Sequence, residues 1–140
     1  MLLRLKIPVV FFLPLLFCTE VKAQLKMSYD GYYIYDQPDK NNQFKYYLRF
    51  YPDGTVITVT TAGKPENLVR WFTKDYKDVA KGKFELDDST ITFFIRTDKG
   101  EINYSGTLSP ENRMLLTVKS AINKYEGKEE YYYLKMEGLK

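Results

Sequence analysis

Hydrophobic and polar side chains alternate along most of this chain with a period of two, and turn residues interrupt the alternation about every ten residues. A period of two sends successive side chains to opposite faces of an extended strand, so the pattern predicts antiparallel β-structure and leaves little room for helix. Residues 44–51 show it best. Phe44, Tyr46, Leu48 and Phe50 share one face there, and Lys45, Tyr47, Arg49 and Tyr51 share the other. Pro52-Asp53-Gly54 then turns the chain, because proline presets φ, aspartate bonds its local backbone and glycine accepts positive φ. Residues 55–61 form the returning strand, β-branched at every position.

The same reading gives eight strands in all. The first spans 31–35 and ends in a polar run from Asp36 to Asn42. Strands four and five flank Asp87-Asp88, with Gly82, Phe84 and Leu86 inward before it and Ile91, Phe93 and Ile95 inward after it. Strand six places Ile102, Tyr104, Gly106 and Leu108 on one face, and strand seven offers Met114, Leu116 and Val118. In the last strand the alternation turns Tyr132, Leu134 and Met136 inward and Tyr131, Tyr133 and Lys135 outward, although a one-residue slip exchanges the two sets. Between strands three and four, Leu68, Val69, Trp71 and Phe72 follow Pro65 with spacing that suits one short helix, either a plug at one open end or a lid over a pocket.

An antiparallel meander of this length has two unpaired edges unless it closes, so the expected fold is all-β, an eight-stranded up-and-down barrel. Eight strands enclose a space that is either filled by side chains or holds one small ligand. Nine aromatics fall on the expected inner face: Tyr33, Tyr35, Phe44, Tyr46, Phe50, Phe84, Phe93, Tyr104 and Tyr132. Opposed to them are the small inward positions Gly31, Thr58, Thr60, Gly82 and Gly106, which leave room near one end. The candidate ligand-binding set is Tyr33, Tyr46, Thr58, Trp71, Tyr104 and Tyr132. Tyr47, Tyr51, Tyr131 and Tyr133 fall on the expected outer face, where aromatic clusters suit a protein or glycan contact.

Residues 1–23 read as a secretory signal peptide. Arg4 and Lys6 begin it, residues 7–18 are apolar except for Pro8 and Pro14, and Val21-Lys22-Ala23 supplies small residues for cleavage. That apolar stretch has 12 residues, whereas a membrane-spanning helix needs about 20. Lipidation at Cys18 is disfavoured because bulky Phe17 precedes it. The expected product is one domain, residues 24–140, in the periplasm or secreted.

Processing would remove three of the 21 basic and one of the 18 acidic residues, leaving a net charge of +1. No basic run remains to displace counterions from nucleic acid, so that partner class is disfavoured. The sole cysteine, Cys18, also leaves, and the chain contains no histidine. His-based triads, the common zinc sites and an imidazole switch are therefore excluded, and neither enzyme activity nor a cofactor is expected. Carboxylate chemistry through Glu85 or Glu101 is disfavoured because both fall on the outer face. Asp87-Asp88 reads as turn geometry, and residues 36–42 lack the alternating carboxylates of a calcium loop.

Gly31-Tyr32-Tyr33, the run Leu48-Arg49-Phe50-Tyr51-Pro52-Asp53-Gly54-Thr55-Val56, and Tyr104-Ser105-Gly106-Thr107-Leu108 together resemble the small exported lipocalin-like (calycin-type) barrels of bacteria. Cleavage before Gln24 resembles export signals of Bacteroidota. Such barrels usually carry a tryptophan where this chain has Tyr33, and stack a basic side chain on it, for which Lys135 is the nearest candidate. The resemblance implies a small apolar or amphipathic molecule bound inside the barrel.

Overall fold

The computed structural model describes residues 25–37, 41 and 43–139, so the expected signal segment lies outside the described residues. Eight strands, β1 (Gly31–Asp36), β2 (Lys45–Phe50), β3 (Thr55–Thr61), β4 (Ala80–Asp87), β5 (Thr90–Thr97), β6 (Gly100–Leu108), β7 (Arg113–Ser120) and β8 (Glu126–Lys135), follow one another around a closed barrel. Each pairs antiparallel with its sequence neighbour, and β1 pairs with β8 to close the ring. Closure pairs both edges of the meander, as its length and periodicity predict. Among the described residues, the one helical segment lies between β3 and β4: a 3-10 turn at Pro65–Asn67 runs into α1 (Leu68–Trp71).

Alternation along β4 separates an apolar inside from a charged outside. Lys81, Lys83, Glu85 and Asp87 are exposed on the outer face of β4, while Gly82, Phe84 and Leu86 face inward. A lipid-facing barrel needs an apolar outer band, and β4 presents the opposite polarity.

One end of the barrel is filled and capped. Phe50 is 1 % exposed and meets Tyr33, Phe84 and Phe93 edge-on, with ring centroids 5.5, 5.0 and 5.6 Å away. Edge-to-face packing sets the positive rim of one ring against the negative face of another, adding about 1 kcal/mol per pair beyond burial. The segment before β1 crosses beneath this cluster. Met27 is buried there with its Sδ 3.3 Å from the Tyr33 hydroxyl, and Asn112 donates to the Ser28 hydroxyl at 3.0 Å. Tyr133 reaches Asp30 at the same end. Inward-facing Gly106 lets β6 bend tightly against β7, where a Cβ would collide with the Leu115 carbonyl.

Several expectations are corrected. The last strand takes the slipped register: Tyr131 lies opposite Met114 and Tyr133 opposite Tyr33, so both point inward, while Tyr132 and Leu134 point outward and are 44 and 48 % exposed. The outward set is used in part elsewhere, because Met136 packs on a second cluster outside the barrel. Phe44, expected inside, precedes β2 and is 53 % exposed.

The helix does not plug an open end: its Leu68 and Phe72 face lies on the outer wall, and Trp71 is its one residue at the mouth. Leu68 and Phe72, four apart and so on one helical face, are buried against the outer wall with Tyr32, Tyr47, Tyr51 and Ile57. This second core removes the expected outer tyrosine surface: Tyr47 and Tyr51 lie beneath the helix, and Tyr131 and Tyr133 face the interior. The closed ring also pairs the strand edges.

Candidate binding site at the barrel mouth

The end opposite the cap is open, and the reason lies in where the ladders stop. β3 pairs with β4 only from Thr55 to Thr58, so its last three residues diverge from β4. β1 pairs with β8 only as far as Ile34 opposite Tyr132, so Tyr35 and Asp36 diverge from β8. A hollow sits at each divergence.

The first hollow is ≈ 400 Å³. Tyr46, Thr58, Ile95, Ile102 and Tyr104 contribute from the barrel, and Trp71, Tyr76 and Val79 close over it from the connection between β3 and β4. The second, ≈ 150 Å³, is bounded by Tyr125 and Glu129 and shares Tyr46, Ile102 and Tyr104 with the first. The two form neighbouring compartments of one mouth. Another hollow of ≈ 530 Å³ lies outside the barrel, between residues 25–30 and the turn carrying Pro110 and Asn112.

Four of the six expected site residues, Tyr46, Thr58, Trp71 and Tyr104, meet in the larger compartment. Trp71 arrives there because Leu68 and Phe72 anchor the helix to the wall and leave the indole at the rim. Tyr33 is displaced from this group, since it is fully buried at the capped end. Tyr132 is on the outer wall, under the Arg113 guanidinium at 5.0 Å. Thr58 and Thr60 are the small inward positions that contribute space at the mouth, while Gly82 and Gly106 face inward where neighbouring backbone approaches too closely for a side chain.

Tyr104 forms the floor of the mouth, stacked on Phe93 at 4.5 Å with a 12° interplanar angle. Burial raises the pKa of its hydroxyl, the charge of Glu129 raises it further, and a hydrogen bond with Thr58 partly offsets both. Tyr35 leans on Tyr46 and Tyr131, with centroids 5.9 and 5.7 Å away.

Glu129 is the functional candidate that alternation missed. It is 4 % exposed on the inner face of β8, opposite Leu116, and the Tyr131 hydroxyl donates to its Oε2 at 2.6 Å. Burial pushes its carboxyl up from the ordinary 4.5, and hydrogen bonds from Tyr131 and Tyr125 oppose the rise. Tyr125 is in turn pushed up to about 12, by burial first and then by the Glu129 charge. The signal was its parity: Glu129 shares a face with Tyr131 and Tyr133, so any register that buries those rings buries the acid.

The acids weighed for carboxylate chemistry stand elsewhere. Glu85 is exposed on the outer wall, and Glu101 pairs with Arg96 at 3.0 Å. Among the described residues, no three His, Cys, Asp or Glu side chains group as a metal site. No known family, curated protein or solved structure matches this chain.

Proposed function

We propose that this protein is a non-enzymatic exported carrier that holds one small apolar or amphipathic molecule in the mouth of its barrel. One observation carries the reading: the capped end is packed with aromatic rings, while the other end keeps a ≈ 400 Å³ hollow walled by Trp71, Ile95, Ile102 and tyrosines. Small-molecule sites fall in the range of about 300–1,000 Å³, apolar with a few convergent polar groups. Thr58, Tyr46 and Tyr104 supply such groups, and the apolar wall supplies affinity through burial at about 25 cal/mol per Å². Export rests on the charged start, short apolar stretch and small-residue cleavage site within residues 1–23. The absence of histidine and the outward position of Glu85 and Glu101 favour carriage over catalysis.

A neutral fluorescent probe, N-phenyl-1-naphthylamine, tests the cup directly. It is expected to brighten with the wild-type protein and to lose binding in Thr58→Trp, whose indole fills the hollow. Equal binding by a folded Thr58→Trp variant overturns the reading. Native mass spectrometry of protein from its own host would then identify any co-purifying molecule.

A further inference from the structure

A carboxylate buried in an aromatic interior is costly, because desolvating the charge loses several kcal/mol that only good partners restore. Glu129 is 4 % exposed, and neutral hydroxyls hydrogen-bond to it: Tyr131 at 2.6 Å, and Tyr125. A leucine there, like Leu116 opposite, would pack without that cost. Fold stability therefore does not explain the acid.

The surroundings are uniformly without positive charge. Facing Glu129 are Tyr131 on its own strand, Leu116 and Val118 on β7, Ile102 and Tyr104 on β6, Tyr46 on β2, Tyr35 and Gln37 at the end of β1, and Tyr125 from the β7–β8 turn. Across both compartments the charged residues among the described lining are Asp78 and Glu129, both acidic, with no lysine or arginine. A negative group ringed by electron-rich faces is complementary to an organic cation: the carboxylate gives a charge-assisted hydrogen bond, and ring quadrupoles attract the same positive centre.

We infer that the mouth selects amphipathic amines, seating a protonated nitrogen against Glu129 among Tyr46, Tyr104 and Tyr125 and laying the apolar remainder toward Trp71 and Ile95. This rests on the carrier reading above and specifies its ligand class. The compartments divide the work. The ≈ 150 Å³ hollow at Glu129 suits an ammonium head, and the ≈ 400 Å³ hollow suits a ring or short chain. A bound cation also favours the ionised carboxylate that burial opposes, so affinity falls as acid protonates Glu129.

Three probes of matched shape test the charge preference: 2-phenylethylamine, 2-phenylethanol and 3-phenylpropionate, titrated calorimetrically into the wild-type protein and into Glu129→Gln. The amine is expected to bind the wild type about tenfold or more tighter than the alcohol, with the carboxylate weakest. Glu129→Gln keeps the shape and is expected to abolish the amine's advantage while leaving the alcohol unchanged. Equal binding of amine and alcohol by the wild type, or an advantage that survives Glu129→Gln, overturns the amine inference and leaves the carrier reading intact. Failure of all three to bind also overturns the inference, and failure of the neutral naphthylamine probe as well overturns the carrier reading with it.

Discussion

The guanidinium of Arg49 donates from Nη1 to the main-chain carbonyl of Phe72 at 2.6 Å, tying the outer wall of the barrel to the end of α1. The Tyr51 hydroxyl donates to the same oxygen, also at 2.6 Å, and the guanidinium lies 4.4 Å from the Tyr51 ring centroid. A cation at a helix C-terminus satisfies a carbonyl that has no partner within the helix. Arg49→Ala is therefore expected to cost about 2 kcal/mol, and Tyr51→Phe about 1 kcal/mol. Because either donor alone still serves the carbonyl, the double variant should lose more than the sum. Urea denaturation of the four proteins measures this, and simple additivity would show that the shared oxygen does not couple them.

Loss of that anchor should also reach the mouth. Trp71 is held at the rim by neighbours in the same helix, so Arg49→Ala is expected to weaken naphthylamine binding although Arg49 lines neither compartment. Unchanged binding would mean that the indole is positioned by the rim itself.

Phe50 is the hub of the capped end, touching three other rings edge-on. Phe50→Ala should cost about 3–5 kcal/mol, combining lost burial with a cavity that closed strands cannot collapse to fill. Thermal denaturation followed by near-ultraviolet circular dichroism reads both the stability and the loss of aromatic packing.

Gly106→Ala is expected to destabilise the barrel by about 1–3 kcal/mol, since the new methyl meets the Leu115 carbonyl rather than a movable side chain. Gly138→Ala is the contrasting control. An added Cβ meets nothing there, and the cost is limited to the left-handed φ of 84°.

Acid should reveal Glu129 through stability as well as binding. Its folded pKa is raised by burial, so the native state holds the proton more tightly than the unfolded chain does. Its contribution is thus most favourable below the ordinary 4.5 and is lost as pH rises through the raised folded value. Glu129→Gln should be more stable than wild type at neutral pH, with the difference vanishing in acid. Asp30 and Glu101 have lowered values, from hydrogen bonds with Tyr133 and Arg96 respectively, and contribute in the opposite sense in both proteins. A difference that stays constant with pH would show that Glu129 titrates normally.

Much of this was legible before folding. Alternation in 44–51 and 55–61, with Pro52-Asp53-Gly54 between them, is local information: the turn sets the register, and the register sets the faces. Tyr46 and Thr58 face inward for that reason, Tyr104 by the alternation of β6, and all three meet at the mouth. The last strand had no such guide. Three consecutive tyrosines, 131 to 133, fit either parity, and the apolar Leu134 and Met136 argued for the wrong one.

The amino-acid order by itself determined the eight strands and the pairing of each with the next, because periodicity and turn chemistry act between neighbours in the chain. Tertiary structure alone decided which tyrosines fill the barrel, where the helix lies and that Glu129 is buried. Those outcomes depend on β8 meeting β1 across the whole length of the domain, where Tyr133 must fit beside Tyr33 and Met136 beside the outer core. A short run of sequence contains only one side of such a contact, so its pattern cannot choose between two registers that differ in what lies opposite.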